Sequence, residues 1–172
     1  MGSVASKRVE KTLAASPDFS AAVGAAYRRA LDLSERAFPG VRRYQLYSAA
    51  AEIHRDLLSG AAHRLVNQWL PSPPTRVQVD RAAAAVAARR RRRGGGGDEE
   101  TLDEEEFMEF AVEAFREGIF GNASRAVLTR VPVGLVGIGG IGVATRSGGG
   151  VVGSVMGVYA VGVAVGVYLS LC

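Results

Sequence analysis

Apolar residues in the first 124 positions recur every three or four residues, in segments separated by Pro and Gly. Ser16 and Pro17 are the residue types that cap and open a helix. The apolar face that follows is Phe19, Val23, Tyr27, Ala30 and Leu33. Further faces of this kind recur downstream. The pattern predicts an all-α domain over residues 16–124, preceded by a flexible N-terminus over residues 1–15.

Two of the downstream helices begin at capping signals. Thr75 and Gln78 have the spacing of a capping box, and Asp103 and Glu106 repeat that spacing before a strongly amphipathic segment. The largest residues on the apolar face of that segment are predicted to fill the core: Phe107, Phe110 and Phe115. Gly118 is the predicted end of this helix.

A low-complexity tract lies between these two helices, where Arg89–Arg93 precede Gly94–Gly97. Its composition predicts a disordered loop over residues 88–101. The excess of Arg, within a net charge of +4, would suit phosphate or lipid head groups, although a coding bias toward Arg, Ala and Gly is the simpler interpretation. No aromatic residues alternate with the basic ones in this tract, so nucleic acid is not an expected partner.

The last part of the chain, Val131–Cys172, is apolar and almost uncharged. Arg146 is its one charged residue, and the run Val151–Cys172 is about 22 residues long, enough for a helix to cross a bilayer core of roughly 30 Å. The shorter run Val131–Thr145 would reach only about 22 Å as a helix. Two topologies follow for the membrane segment 125–172: a transmembrane helical hairpin, which we favour, or a single C-terminal anchor. Both place the Arg-bearing front in the cytosol.

Glycines in this tail recur at a spacing of four residues. They form two pairs: Gly153 with Gly157, and Gly162 with Gly166. Small residues four apart let helix backbones approach closely in lipid. The spacing therefore predicts close helix packing, either inside a hairpin or between copies of the chain in a homo-oligomer.

The N-terminus fits a lipidation pattern, because Gly2 directly follows Met1 and Ser6 stands at the position where Ser or Thr is required. Lys7 and Arg8 would help to hold an acyl chain at an anionic leaflet. N-myristoylation at Gly2 would favour a location at the plasma membrane. Without it, an endomembrane location is expected equally.

The segment Gly95–Glu106 partly fits a twelve-residue calcium loop. In that register Thr101 offers its backbone carbonyl, and carboxylates stand at the fifth, ninth and twelfth positions: Glu99, Asp103 and Glu106. The first and third positions are Gly95 and Gly97, which supply no carboxylate. Calcium, the only cofactor expected, would therefore bind weakly, or the segment is simply an acidic helix start. The predicted metal ligands are Glu99, Thr101, Asp103 and Glu106.

The sequence contains no set of residues that is typical of a catalytic site. His54 and His63 are isolated from other metal-ligating residue types, and the single cysteine, Cys172, forms no ligand pattern. There is no nucleophile–base pair, no pair of catalytic carboxylates and no phosphate loop. We therefore predict that the chain is not an enzyme.

Several short motifs are spread over most of the chain. They are Ser16–Phe19 (SPDF), Phe38–Arg42 (FPGVR), Ser72–Arg76 (SPPTR), Glu106–Phe107 (EF) and Ser124–Gly134 (SRAVLTRVPVG). In these motifs the chain resembles a small group of plant proteins labelled as EF-hand or calcium-binding family proteins. The resemblance implies a membrane-associated plant protein that binds calcium, and it implies no catalytic activity. The glycines at positions 95 and 97 depart from the calcium-loop pattern.

These features predict a membrane-anchored adaptor that binds or responds to calcium through a degenerate EF-hand-like helix–loop–helix. Its expected partners are membrane lipid and an unidentified protein. The alternative is a structural membrane protein that self-associates through the glycine pairs of its tail.

Overall fold

The computed structural model describes residues 4–34, 37–59, 63–94, 100–144, 158–159, 161–163 and 165–166. These residues are mostly helical, which confirms the predicted all-α class. The elements in chain order are α1 (Val4–Ala14), α2 (Pro17–Leu33), β1 (Val41–Arg42), α3 (Leu46–Ser59), α4 (Arg64–Trp69), α5 (Arg76–Arg92), β2 (Thr101–Leu102) and α6 (Glu104–Ala144). A short 3-10 helix, Arg43–Gln45, leads directly into α3.

The predicted helix caps are confirmed by hydrogen bonds. The hydroxyl of Ser16 accepts from the amide of Phe19 at 3.2 Å, which satisfies one of the free amides at the start of α2. Thr75 and Gln78 form a reciprocal capping box at the start of α5. These side chains fix where each helix begins and therefore where each preceding loop ends.

A two-stranded antiparallel sheet joins two helix–loop–helix units, α2–α3 and α5–α6. Val41 pairs with Leu102, and Arg42 pairs with Thr101. Gly40 is required beside this sheet, because a Cβ atom there would lie 2.2 Å from the carbonyl oxygen of Leu102. The sheet therefore holds the two loops side by side, with β2 against the backbone of the first loop.

Aromatic residues of α6 pack against α2 and form the hydrophobic core. The rings of Phe19 and Phe115 meet edge to face with centroids 5.4 Å apart, and those of Tyr27 and Phe107 are 5.5 Å apart. Phe110, like Phe107 and Phe115, is fully buried, as the apolar pattern predicts. The core therefore lies between the two helix–loop–helix units. It joins them through their helices, whereas the sheet joins them through their loops.

The structure is more helical than the sequence predicts at two places. The N-terminus over residues 1–15 is not simply flexible, because α1 buries Val9 and Leu13 completely, one turn apart on the same face. The loop expected over 88–101 is shorter than predicted. Helix α5 continues to Arg92 and ends at Gly94, whose φ of 75° is the left-handed conformation that favours glycine.

Helix α6 is also longer than predicted. It passes through Gly118 and Pro132 without interruption of the assigned helix. At Gly118 an added Cβ would lie 2.6 Å from a methyl group of Leu70, so glycine lets this side chain lie directly against α6. A residue that is unfavourable in a free helix is thus used here for close packing.

The chain divides into two compact units, Met1–Phe120 and Gly121–Cys172. Among the described residues, no helix combines the length and the apolar character that a membrane span requires. Most of the run Val151–Cys172 and the proposed hairpin turn around Arg146 lie outside the described residues.

Candidate cation loop closed by an arginine

The second loop, between α5 and α6, places three of the four predicted calcium ligands close together. Thr101 lies in β2, Asp103 precedes α6 and Glu106 lies in its first turn. The amide of Asp103 donates to Glu106 Oε2 at 3.2 Å, and the amide of Glu106 donates to Asp103 Oδ1 at 2.8 Å. This is the reciprocal cap predicted from the sequence. Glu99, the fourth predicted ligand, lies outside the described residues.

Arg90 contacts two of the predicted ligand groups of this loop, the carbonyl of Thr101 and the carboxylate of Glu106. Its Nη2 donates to the carbonyl oxygen of Thr101 at 2.6 Å. Its Nε and Nη2 also donate to Oε1 and Oε2 of Glu106, which makes a bidentate arginine–carboxylate pair. The side chains of Arg90 and Glu106 are each only 15% exposed. A guanidinium group therefore lies where the carbonyl and the closing carboxylate converge.

This environment changes the acidity of Glu106. The hydrogen bonds from Arg90 lower the pKa of Glu106 below its usual range; partial burial opposes that effect, and the amide hydrogen bond and the positive charges of Arg90 and Arg93 reinforce it. Glu106 is therefore ionised at neutral pH, and its negative charge is already compensated within the protein.

The arginines around Arg90 pair with carboxylates farther along α6. Arg89 donates to Glu113 at 2.8 Å, and Arg93 donates to Glu109 at 2.9 Å. These contacts explain why a tract that looks disordered by composition continues α5: its positive charges face the acidic side of α6. Arg93 is 62% exposed, so its own pair stabilises little.

The two histidines have structural positions. His54 is buried, and its Nε2 lies 2.8 Å from the carbonyl oxygen of Leu70, so this nitrogen carries the proton. Burial lowers the pKa of His63, although the nearby Asp18 opposes the shift. Within the described ranges, no three His, Cys, Asp or Glu residues are grouped so that they could hold a metal ion.

The first loop, between α2 and α3, matches the second in a way that the sequence analysis missed. Gln45 stands four residues after Val41, as Glu106 stands four residues after Leu102, and these two apolar residues are the ones that pair in the sheet. Oε1 of Gln45 accepts from the amide of Arg42 at 3.0 Å. Its Nε2 donates to the carbonyl oxygen of Ala30 at 2.9 Å. The repeated spacing of four residues was the signal available in the sequence.

An apolar cavity of about 270 Å³ opens between α2 and α3 near the first loop. Two large side chains that line this opening are well exposed: Leu33 (76%) and Tyr44 (70%). The remaining lining is Ala26, Ala30, Gln45, Ser48, Ala49 and Glu52. This is an exposed apolar surface with a concave centre, which we call the α2–α3 groove.

Other predicted site residues lie in the terminal regions. Gly2, Gly153 and Gly157 are outside the described residues, whereas Gly162 and Gly166 are exposed. A Cβ atom added at either of these two glycines would meet no described atom within 4 Å.

A scan against protein families, a search of curated proteins and a search of solved structures give no match to this chain. The resemblance to the plant EF-hand proteins therefore stays a prediction.

Proposed function

We propose that this chain is a non-enzymatic, membrane-associated adaptor whose N-terminal helical unit is EF-hand-like and binds a protein partner. The observation that carries the proposal is the pairing of two helix–loop–helix units through residues at equivalent loop positions, Val41 and Leu102. The unit is stabilised by an aromatic core and by helix caps. The side chain of Arg90 hydrogen-bonds to its second loop and holds it closed. Such a unit is suited to presenting helix surfaces rather than to catalysing a reaction.

The α2–α3 groove is the proposed partner surface. Its exposed apolar residues lie beside ionised side chains, because Arg29 on α2 bonds to Glu52 and Asp56 on α3 at 3.0 and 2.5 Å. An apolar groove with a charged edge suits the apolar face of an amphipathic helix, with the charges setting its orientation. The proposed partner is therefore a protein that contributes such a helix.

The proposed membrane association comes from the tail. The run Val151–Cys172 contains no charged side chain and is long enough to cross a bilayer. N-myristoylation at Gly2 would add a second attachment. In this arrangement the adaptor would hold its partner at the cytosolic face of the plasma membrane or of an endomembrane.

Crosslinking in intact membranes tests the adaptor proposal. The full-length chain is compared with Leu33→Ser/Tyr44→Ser, and Val77→Ser is the control because Val77 is an exposed apolar residue (58%) on α5, away from the groove lining. We expect a specific crosslinked protein to be lost in the double variant and retained in the control. Equal crosslinking of all three chains would contradict the proposed surface.

A separate membrane assay tests the anchor. The full-length chain and a chain ending at Arg130 are mixed with neutral phosphatidylcholine vesicles, which offer no charge attraction to the basic residues, and the vesicles are floated. We expect only the full-length chain to float with the vesicles. Equal flotation would show that the tail is not the membrane anchor.

The second candidate function is self-association of the tail. It is supported by Gly162 and Gly166, whose exposed surfaces leave room for close approach by another helix. Crosslinking of the purified full-length chain in mild detergent, with Gly157→Leu and Gly162→Leu variants, tests it. Oligomers in the wild type that disappear in both variants would support this function, and a monomer throughout would exclude it.

A further inference from the structure

The second loop brings together two oxygen groups of the kind that a calcium loop uses. The backbone carbonyl of the seventh position and the carboxylate of the twelfth position are standard ligands of the cation. Here those groups belong to Thr101 and Glu106, and both accept hydrogen bonds from Arg90. One cationic side chain therefore satisfies both groups at once.

The chemistry of arginine suits this position. A guanidinium group stays protonated at all physiological pH values and matches a carboxylate with two parallel hydrogen bonds. Arg90 belongs to α5, the helix that leads into the loop, so it is present at a high effective concentration that no dissolved ion matches at ordinary cellular levels. Because both side chains are only 15% exposed, salt screens their attraction weakly.

We propose that Arg90 is a tethered cation that closes the second loop in place of calcium, and that removing its guanidinium uncovers a weak calcium site at Thr101 and Glu106. This regulation deepens the proposed adaptor function and rests on it for its biological meaning. With Arg90 in place, the second loop stays closed whether or not calcium is present. A calcium signal would then leave the adaptor unchanged.

A cavity lies beside the arginine and borders Glu106. This cavity of about 180 Å³ is lined by Val86, Arg90, Arg93, Glu106 and Glu109. Shortening Arg90 would enlarge it, and water would complete the shell of oxygens that a calcium ion requires. Since the described ligands are few, the uncovered site belongs to the weakest class of calcium sites, with a dissociation constant of ~1 mM.

Thermal unfolding of the full-length chain in mild detergent tests the proposal, with calcium chloride as the probe. Magnesium chloride at equal concentration controls for ionic strength and for nonspecific divalent binding. The chains compared are the wild type, Arg90→Ala, Arg90→Lys and Arg90→Ala/Glu106→Gln. The lysine variant retains a tethered positive charge, and the double variant lacks the closing carboxylate.

We expect the wild type and Arg90→Lys to show no calcium-specific change in Tm. Arg90→Ala should unfold at a lower temperature and regain about 2–5 °C at about 10 mM calcium. The double variant should show no such gain. If Arg90→Ala folds only when calcium is added, the proposal is equally supported.

Two results would overturn the proposal that Arg90 replaces calcium in the second loop. One is a calcium-dependent rise in the Tm of the wild type that Glu106→Gln abolishes, because calcium would then displace the arginine. The other is a neutral variant, Arg90→Ala or the milder Arg90→Gln, that is folded but gains nothing from calcium. The crosslinking test of the adaptor reads partner contact alone, so either proposal can fail without the other.

Discussion

The two loops of the N-terminal unit are built on the same plan but closed by different chemistry. In the first loop the closing side chain is Gln45, a neutral amide that bonds back to the carbonyl of Ala30 on α2. In the second loop it is Glu106, an ionised carboxylate that bonds back to the guanidinium of Arg90 on α5. Both closing side chains also accept a hydrogen bond from a backbone amide of their own loop.

This difference shows two ways in which a side chain at the start of a helix can close the loop of a helix–loop–helix unit. A neutral amide has no charge to compensate, so a backbone carbonyl is a sufficient partner. A carboxylate that is largely removed from water needs a positive partner, and Arg90 supplies it. The second loop should therefore depend on pH, whereas the first loop should not.

The largest effect is expected where the core joins the two units. Phe107 is fully buried and contacts Tyr27 and Phe110. Phe107→Ala should lower the free energy of unfolding by about 3–5 kcal/mol, because it leaves a cavity between the units that carry the two loops. Urea unfolding measures this change. The control Tyr47→Ala, at an exposed position, should change stability by less than about 0.5 kcal/mol; an equal loss in both variants would contradict the described core.

The next effect is expected at the sheet that pairs the loops. Gly40→Ala places a methyl group 2.2 Å from the carbonyl oxygen of Leu102, and backbone atoms cannot move aside cheaply. We expect a loss of about 2–4 kcal/mol in urea unfolding. Gly24→Ala is the matched control, since the added Cβ on α2 meets only an ordinary contact at 3.9 Å. It should stabilise the chain by about 0.5–1 kcal/mol; a harmless Gly40→Ala would disprove the close approach.

Glu106→Gln makes the second loop resemble the first. It replaces an ion pair with a hydrogen bond from the Arg90 guanidinium to a neutral amide and should cost about 1–3 kcal/mol at pH 7. Because the pKa of Glu106 is lowered in the folded state, its contribution is complete above its unfolded pKa and is lost as the pH falls through the folded pKa. The variant and the wild type should therefore converge in stability at acidic pH. A difference that is constant from pH 7 to pH 2 would contradict this account.

The reverse exchange, Gln45→Glu, gives the first loop a carboxylate without an arginine across from it. An ionised carboxylate cannot donate to the carbonyl of Ala30, so we expect a loss of about 1–2 kcal/mol at pH 7. Protonation restores a donor, so this variant should recover stability as the pH falls, opposite to the effect of Glu106. Unfolding at pH 7 and pH 4 distinguishes the two, and equal losses at both pH values would refute the expected opposition.

The smallest effect is expected for an exposed pair of the same residue types. Arg81 donates to Glu117 at 2.9 Å, but the arginine side chain is 68% exposed. Arg81→Ala should therefore cost less than about 0.5 kcal/mol. A loss as large as that of Glu106→Gln would show that burial is not what distinguishes the Arg90 pair.

Local signals in the sequence predicted the caps and the aromatic core correctly, since these depend on residues three or four positions apart. Helix α1 was missed because its buried face consists mainly of Val9 and Leu13, too few residues for a clear period. The length of α6 was missed because Gly118 looks like a helix end unless the nearby Leu70 is known. That contact joins distant parts of the chain and leaves no local signal.

The arginine that closes the second loop was also missed, although a signal for it existed. Val79, Ala83 and Val86 form the apolar face of α5, and Arg90 stands at the next position of that same face. The composition of the tract hid the position of Arg90, because its five consecutive arginines differ only in which face of the helix they occupy. That face is found by continuing the helical spacing of α5 through the tract. Two of the predicted calcium ligands, Thr101 and Glu106, contact the guanidinium group of Arg90, which is itself a cation.

A double-mutant cycle on Arg90 and Glu106 tests the central claim most directly. The free energies of unfolding of the full-length chain, Arg90→Gln, Glu106→Gln and the double variant are measured by urea unfolding at pH 7. The pair Arg81 and Glu117 serves as the exposed reference. We predict a coupling energy above about 1.5 kcal/mol for Arg90 with Glu106, and below about 0.5 kcal/mol for the reference pair. Equal, small couplings for both pairs would contradict the claim that a tethered guanidinium holds the second loop closed.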